Sequence, residues 1–381
     1  MPQNIIAQGA RLPALSRPPE GIASVHDYAK QASARLLAPY LAYLEGGSGD
    51  EITLTENTQA FQRIHLRQRI LRSPLNPSTQ ATVPGLTLPF PVLLAPIACH
   101  SLAHPEGELA TAAGAAAMGI PMIVSAMASK PLELVASHAR SGAWFQLYMQ
   151  RERKETLSLV QRAEAAGYSA IVLTVDAPVT GPRNREQREG FGSLPEKLAV
   201  NLPKGRPTLI SQPGGQHALC GPLLEQTATW EDLDWLLTCT PLPVLLKGVT
   251  DPEDAERAIQ AGVAGLIVSN HGGRTLDTLP ATIDLLPDIA QRAQRRVCVL
   301  MDGGVRRGTD IVKALALGAD AVMIGRPYMY GLATAGAAGV AHVLHILRTE
   351  LEMAMALAGV SSINDIDNSV LYMPQKNSSY F

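Results

Sequence analysis

The stretch 243–270, PVLLKGVTDPEDAERAIQAGVAGLIVSN, decides the fold. It opens on a continuous apolar run, PVLLKGV, turns acidic at DPED, stops at Gly262 and enters a second apolar run, GLIVSN. An acidic first turn and a closing glycine bound a helix. Unbroken rather than alternating hydrophobicity marks a strand buried on both faces, as in a parallel sheet covered by helices. The stretch therefore reads as one strand–helix–strand unit.

Working outward, the same unit recurs. Apolar runs lie at 91–98 (PVLLAPIA), 121–126 (PMIVSA), 143–149 (AWFQLYM), 169–176 (SAIVLTVD), 297–304 (VCVLMDGG) and 321–327 (AVMIGRP), making eight with the first two. Helical segments separate them, among them RKETLSLVQRAEAAG ending at Gly167 and RGTDIVKALALG ending at Gly318. Eight such units predict an α/β fold, a (β/α)8 TIM barrel, rather than an open doubly wound sheet. Neither GxGxxG after a strand nor GxxxxGK[ST] occurs, so the common nucleotide fingerprints are absent. Residues 1–22 read as a mobile N-terminal tail, and 23–381 as a single domain whose amphipathic start (SVHDYAKQASARLLAPYLAYLEGG) forms a helical cap. The Gly- and Pro-rich insertion 184–229 after strand four reads as a long lid loop at the face where barrel active sites lie.

Composition agrees with a large core of small aliphatics. Hydrophobic residues make up 46% of the 381, aromatics only 4%, and charged residues 17%, against roughly a quarter in an average domain. That balance excludes disorder and coiled coil, and a net charge of −2 excludes a nucleic-acid footprint. Cys99, Cys220, Cys239 and Cys298 form no CxxC pair and read as reduced thiols, which with the absence of a leader-like N-terminus predicts a cytoplasmic protein. The uncharged stretch between Glu108 and Lys130 is long enough to span a bilayer, but Gly119 and Pro121 divide it into a helix and a strand, so no membrane association is expected.

In a barrel the informative residues stand at C-terminal strand ends. Here one histidine, two acids and five bases gather there: His271, Asp176, Asp302, Arg183, Lys247, Arg274, Arg306 and Arg326. DGGVRRG and GRP, after strands seven and eight, predict a phosphate site, with Gly303, Gly304 and Gly325 opening the backbone and Arg306 and Arg326 forking onto oxygens. Lys247, Arg274 and Arg183 are more cations than one phosphate needs, and point to a second anion such as a substrate carboxylate. His271 is the candidate acid/base, with Asp176 to orient its ring. His100 and His104 have the spacing of a metal pair but no third ligand, so no metal is expected.

Together SNHGGRTLD, DGGVRRGTDIVKALALGADAVMIGRP, APIACHSLAHPEGE, FQLYMQ, LTVDAP and LLKGV resemble the FMN-dependent (S)-2-hydroxy acid oxidase and dehydrogenase family, in order from about Val25 to Asp365. APIACHSLAH and VTGPRNREQREGF are most similar to its lactate oxidase branch. The resemblance implies FMN as cofactor, a small 2-hydroxy acid as substrate and a homotetramer. It leaves the acceptor open, and a lid without an apolar or densely basic membrane patch favours O2 with release of H2O2. His271 would be the base, Asp176 its stabilising partner, and Lys247 a cation beside the N1–C2=O edge of the flavin. Arg183 and Arg274, with Tyr28 and Tyr148, would take the substrate carboxylate. Ser125, Gln146, Thr174, Ser269 and backbone near Ala98 would bond the ring system, Asp302 the ribityl chain, and Gly303, Gly304, Arg306, Gly325 and Arg326 the phosphate.

The chain departs from that family pattern at Met127, where an aromatic is common, at Pro182, commonly basic, and in a lid whose one aromatic is Phe191. A thioether wall and a ring-poor lid predict room for a substrate bulkier than lactate. Two other readings compete: a quinone- or cytochrome-linked (S)-2-hydroxy acid dehydrogenase acting on lactate or mandelate, and, in another class, an FMN-barrel isomerase. An inosine-monophosphate-dehydrogenase-like chemistry would need a cysteine where Asn270-His271 stand.

Overall fold

The computed structural model describes residues 12–72, 76–192, 194, 198–202 and 227–372. Three cap helices come first: α1 (Val25–Arg35), α2 (Ala38–Glu45) and α3 (Ile52–Arg63). Ser24 caps α1 by accepting from the Asp27 N–H, and α1 ends where Leu36 turns extended; Pro39 then stands in the first turn of α2. What read as one amphipathic segment is therefore two helices.

Eight strands make the barrel: β1 (Val92–Leu94), β2 (Met122–Ser125), β3 (Ala143–Leu147), β4 (Ile171–Thr174), β5 (Val244–Val249), β6 (Gly265–Val268), β7 (Cys298–Met301) and β8 (Ala321–Ile324). Each pairs in parallel with the next, and β8 closes on β1. The (β/α)8 barrel expected from the eight apolar runs is the fold. Every residue of β1, β2, β3, β4, β6 and β8 is buried, as continuous apolar runs require.

The helices after the strands are α4 (Glu108–Ala117), α5 (Leu132–His138), α6 (Arg153–Ala165), the short α7 (Asn184–Arg188) inside the β4 loop, α8 (Trp230–Cys239), α9 (Pro252–Ala261), α10 (Thr282–Ala293), α11 (Gly308–Ala316) and α12 (Arg326–Ala358). In α9 the Asp251 side chain accepts from the Glu253 and Asp254 N–H groups, and Gly262 closes the helix at φ 99°. That is the punctuation on which the sequence reading rested. The uncharged stretch after Glu108 resolves into α4 and β2. By length and composition α12 could cross a bilayer, yet 72% of its apolar window is buried, and it packs on α1 and α4 as a core helix.

Residues 1–11 of the expected tail and most of the 184–229 lid lie outside the described residues. Within the described part of the tail, Leu12 donates to the Arg35 carbonyl and Leu15 to that of Thr334. These backbone hydrogen bonds join residues 12–15 to α1 and α12.

Candidate active site

The acid/base group forms where three strand ends meet. His271 follows β6 in a left-handed conformation, φ 56°, and its Nδ1 lies 2.8 Å from Asp176 Oδ1, beyond β4. Lys247, on β5, reaches Ser269 Oγ at 2.8 Å and Asp302 Oδ2 at 3.2 Å. Burial by itself would raise the Asp176 pKa, but the charges of His271 and Lys247 outweigh it and hold the carboxyl below its ordinary value. For Lys247 burial pulls the other way, and the Asp302 and Asp176 charges overcome it to raise the ammonium. The β5 ladder shifts register at Gly248, whose φ is 105°. A Cβ there would overlap the Asp176 side chain, so only glycine allows β5 to approach this closely.

A row of polar groups faces this cluster. Ser125 donates to Gln146 Oε1 (3.1 Å) and accepts from the Met127 N–H (3.1 Å), while Ser269 Oγ also accepts from the His271 N–H. The Ala98 turn is anchored by a Cys99 N–H bond to the Met127 carbonyl, 3.1 Å. Gln146 Nε2, Thr174 Oγ1, Asp176 Oδ2 and Asp302 Oδ1 are buried without a hydrogen-bond partner among the described residues. Unpaired buried polar atoms cost about 1–3 kcal/mol each, so four around one barrel mouth mark a ligand's place. Their mix of donor and acceptors matches a flavin, whose pyrimidine edge alternates the two and whose ribityl chain carries hydroxyls. The residues present fit FMN.

The expected phosphate end is built differently in detail. Gly303 and Gly304 (φ 96° and 87°) turn against α3, and a Cβ on Gly304 would overlap the Asn57 carbonyl. Gly325 adopts φ −111°, and a Cβ there meets only Ile97 and Ala95 at ordinary distance. Arg306 donates to the Val305 carbonyl. Arg326 spans the cap, donating to the carbonyls of Leu44 (2.9 Å), Gly46 (3.0 Å) and Gly272 (3.1 Å). Burial draws its pKa down to about 10, with like charge from Arg274 and Arg306 adding to the fall. An anion beside these three guanidiniums would relieve that repulsion.

Arg274 is the second guanidinium on the α2 terminus. It donates to the Tyr43 and Gly46 carbonyls, stacks 4.8 Å over the Tyr43 ring, and pairs with Glu186 at 2.9 Å. Cations at a helix C-terminus satisfy its last carbonyls and its dipole. Arg183 lies 3.9 Å from Glu186, its Nη1 has no partner among the described residues, and burial together with Arg274 pulls it down to about 9. Tyr148 is half-buried among Asp176, Tyr43, Arg183 and Arg274, and burial raises its hydroxyl pKa.

Tyr28 is a correction. Its hydroxyl bonds His342 Nδ1 at 2.8 Å on α12, and the ring is fully buried away from the rim. Tyr43 stands at the site instead, between Arg274 and Phe191, whose ring it stacks at 4.7 Å. Both tyrosines sit in the amphipathic segment 24–47, which breaks into α1 and α2 just before Pro39. Glu186 carries no local signal of its own: besides Arg183 three residues before it, its charge gains meaning only beside Arg274 from a distant segment. His100 and His104 are held in structural hydrogen bonds: the His100 ring with Thr111 and Tyr328, and His104 Nδ1 with the Glu106 N–H.

The barrel, the His–Asp pair, the arginines and the unpartnered polar atoms at one mouth fit a flavin-dependent oxidoreductase acting on a carboxylate-bearing alcohol. Residues 32–373 match the FMN-dependent dehydrogenase family model. The chain is 45% identical to an L-lactate oxidase of Nostoc sp., covering 92% of this chain and 98% of that one. It is 43% identical to glycolate oxidase of Spinacia oleracea, covering 91% and 95%. Among solved structures, mandelate oxidase with (S)-2-phenylpropionate superposes with a TM-score of 0.82 at 40% identity, over 92% of this chain and 98% of that one. The chain belongs to the FMN-dependent 2-hydroxy acid oxidase and dehydrogenase family, and it is an FMN enzyme acting on CH–OH donors.

Proposed function

We propose that the protein oxidises an (S)-2-hydroxy acid, lactate-like or bulkier, to the 2-oxo acid and passes the electrons to O2, releasing H2O2. The observation that carries this is the His271–Asp176 pair, 2.8 Å apart, at the same rim as Arg183 and Arg274. The arginines take the carboxylate, with the Tyr43 and Tyr148 hydroxyls beside them. With Nδ1 bound to Asp176, the His271 Nε2 is the atom that accepts the substrate proton, and the Asp176 charge stabilises the imidazolium so formed. FMN, when bound, supplies the two-electron acceptor that no side chain provides. Ser125, Gln146, Thr174, Ser269, Lys247 and backbone near Ala98 hold its ring, Asp302 its ribityl chain, and Gly303, Gly304, Arg306, Gly325 and Arg326 its phosphate.

Oxygen as acceptor is supported by the relatives, named as lactate, glycolate and mandelate oxidases. A bulkier substrate is supported by the pocket wall. Phe191 is spent in stacking on Tyr43, and Met127 beside the Ala98 turn offers a flexible thioether. The test is to add (S)-lactate, (S)-mandelate and a longer 2-hydroxy acid to the yellow protein without air, then readmit air and assay peroxide. Bleaching by at least one, followed by peroxide, is expected. No bleaching by any removes the reading. Bleaching relieved only by a quinone or cytochrome shows the dehydrogenase alternative.

A further inference from the structure

Glu186 has no part in the chemistry above, yet it is a buried carboxylate among the groups that receive a carboxylate. Its side chain is only 9% exposed, and it sits 2.9 Å from Arg274 and 3.9 Å from Arg183, which are themselves 15% exposed. We propose that Glu186 is a resident counter-anion of the substrate site, whose charge limits how tightly the two arginines bind a carboxylate and selects monoanions over dianions. This rests on the reading that Arg183 and Arg274 hold the substrate carboxylate.

Charge balance carries the argument. Two guanidiniums and Glu186 present one net positive charge, matched to one carboxylate; without Glu186 they would present two. A buried ion pair can act instead by orienting its arginine, so the two effects must be weighed. Arg274 keeps its place without Glu186, because two backbone carbonyls and the Tyr43 ring also hold it. The α7 helix likewise keeps its place, since Arg185 pairs with Glu51 and lies 3.9 Å from Glu45 of the cap. Charge therefore outweighs orientation at this residue.

The test uses the FMN-loaded protein and two non-reacting anions, acetate and oxalate, titrated by the change in the flavin spectrum and by calorimetry. Glu186→Gln should bind acetate about tenfold tighter and oxalate about a hundredfold, since a unit charge within a few ångströms in a half-buried site is worth at least one decade per ligand charge. Glu186→Asp, which keeps the charge, should stay within about threefold of wild type. With substrate, Glu186→Gln should lower KM about tenfold while Glu186→Asp keeps it near wild type, a contrast that a purely structural clasp would not produce. Unchanged or weaker anion binding in Glu186→Gln overturns the proposal, provided Arg274→Lys weakens both anions. If Arg274→Lys leaves both anions unaffected, the carboxylate-site reading beneath it falls instead. Calorimetry keeps the measurement decisive should a variant hold FMN poorly.

Discussion

At the scale of the residue, the site is a set of charges that correct one another. Asp176 is buried, which by itself would raise its pKa, and the neighbouring His271 and Lys247 are foremost among the groups that hold it below the ordinary value. The stabilisation this brings is complete above the ordinary carboxyl value of 3.8 and is lost as pH falls through the lower folded value. Asp176→Asn removes that charge, so the variant's unfolding free energy should fall less steeply than wild type on the acid side. An equal slope below pH 4 would show that Asp176 does not carry it. The same variant should lose about 10²-fold or more in the rate of substrate bleaching while retaining FMN, because the imidazolium then lacks its counter-charge. A normal rate would refute the pair.

At the scale of the element, the cap helices matter more to the site than their distance in sequence suggests. The C-terminus of α2 is seated on Arg274 and Arg326, which is how Tyr43 reaches the rim. Asn57 of α3 exchanges two side-chain hydrogen bonds with Asn270, 2.9 and 2.8 Å, directly before His271, and its carbonyl lies against Gly304. Gly304→Ala should therefore push α3 from the β7 end, destabilising the fold by about 1–3 kcal/mol and weakening FMN binding about tenfold. Gly262→Ala is the control: it too has positive φ, at 99°, but nothing lies within 4 Å of a Cβ there. It should cost only about 1 kcal/mol of backbone strain and leave FMN affinity alone. Equal FMN affinities in the two variants, measured by fluorescence quenching, would refute the contact argument.

At the scale of the whole molecule, the barrel is a rigid frame around a mouth left electrostatically incomplete. Four buried polar atoms lack partners there among the described residues, and like charge from Arg274 and Arg306 adds to the burial that depresses Arg326. Such a frame gains from its cofactor. Stripping FMN should lower the melting temperature, and restoring it at about a hundred times its Kd should return roughly 2.7 kcal/mol of stability. A melting temperature indifferent to FMN would mean that these groups do not hold it.

Much of this was legible in one dimension. Continuous apolar runs, glycine stops and capped helix starts are local properties, and eight of them in alternation leave few topologies open. The strand-end residues His271, Asp176, Lys247, Arg183 and Arg274 could be read as a group because barrel geometry brings strand ends together wherever they fall in the chain. The role of the cap could not be read this way. Whether Tyr28 or Tyr43 faces the rim depends on the break between α1 and α2 and on two arginines more than 200 residues away that catch the end of α2. Glu186 acquires its function from the same convergence. Periodicity and capping are set by neighbours a few residues apart and so are written in the sequence; which distant charge meets which is decided only when the packed barrel brings them within a few ångströms.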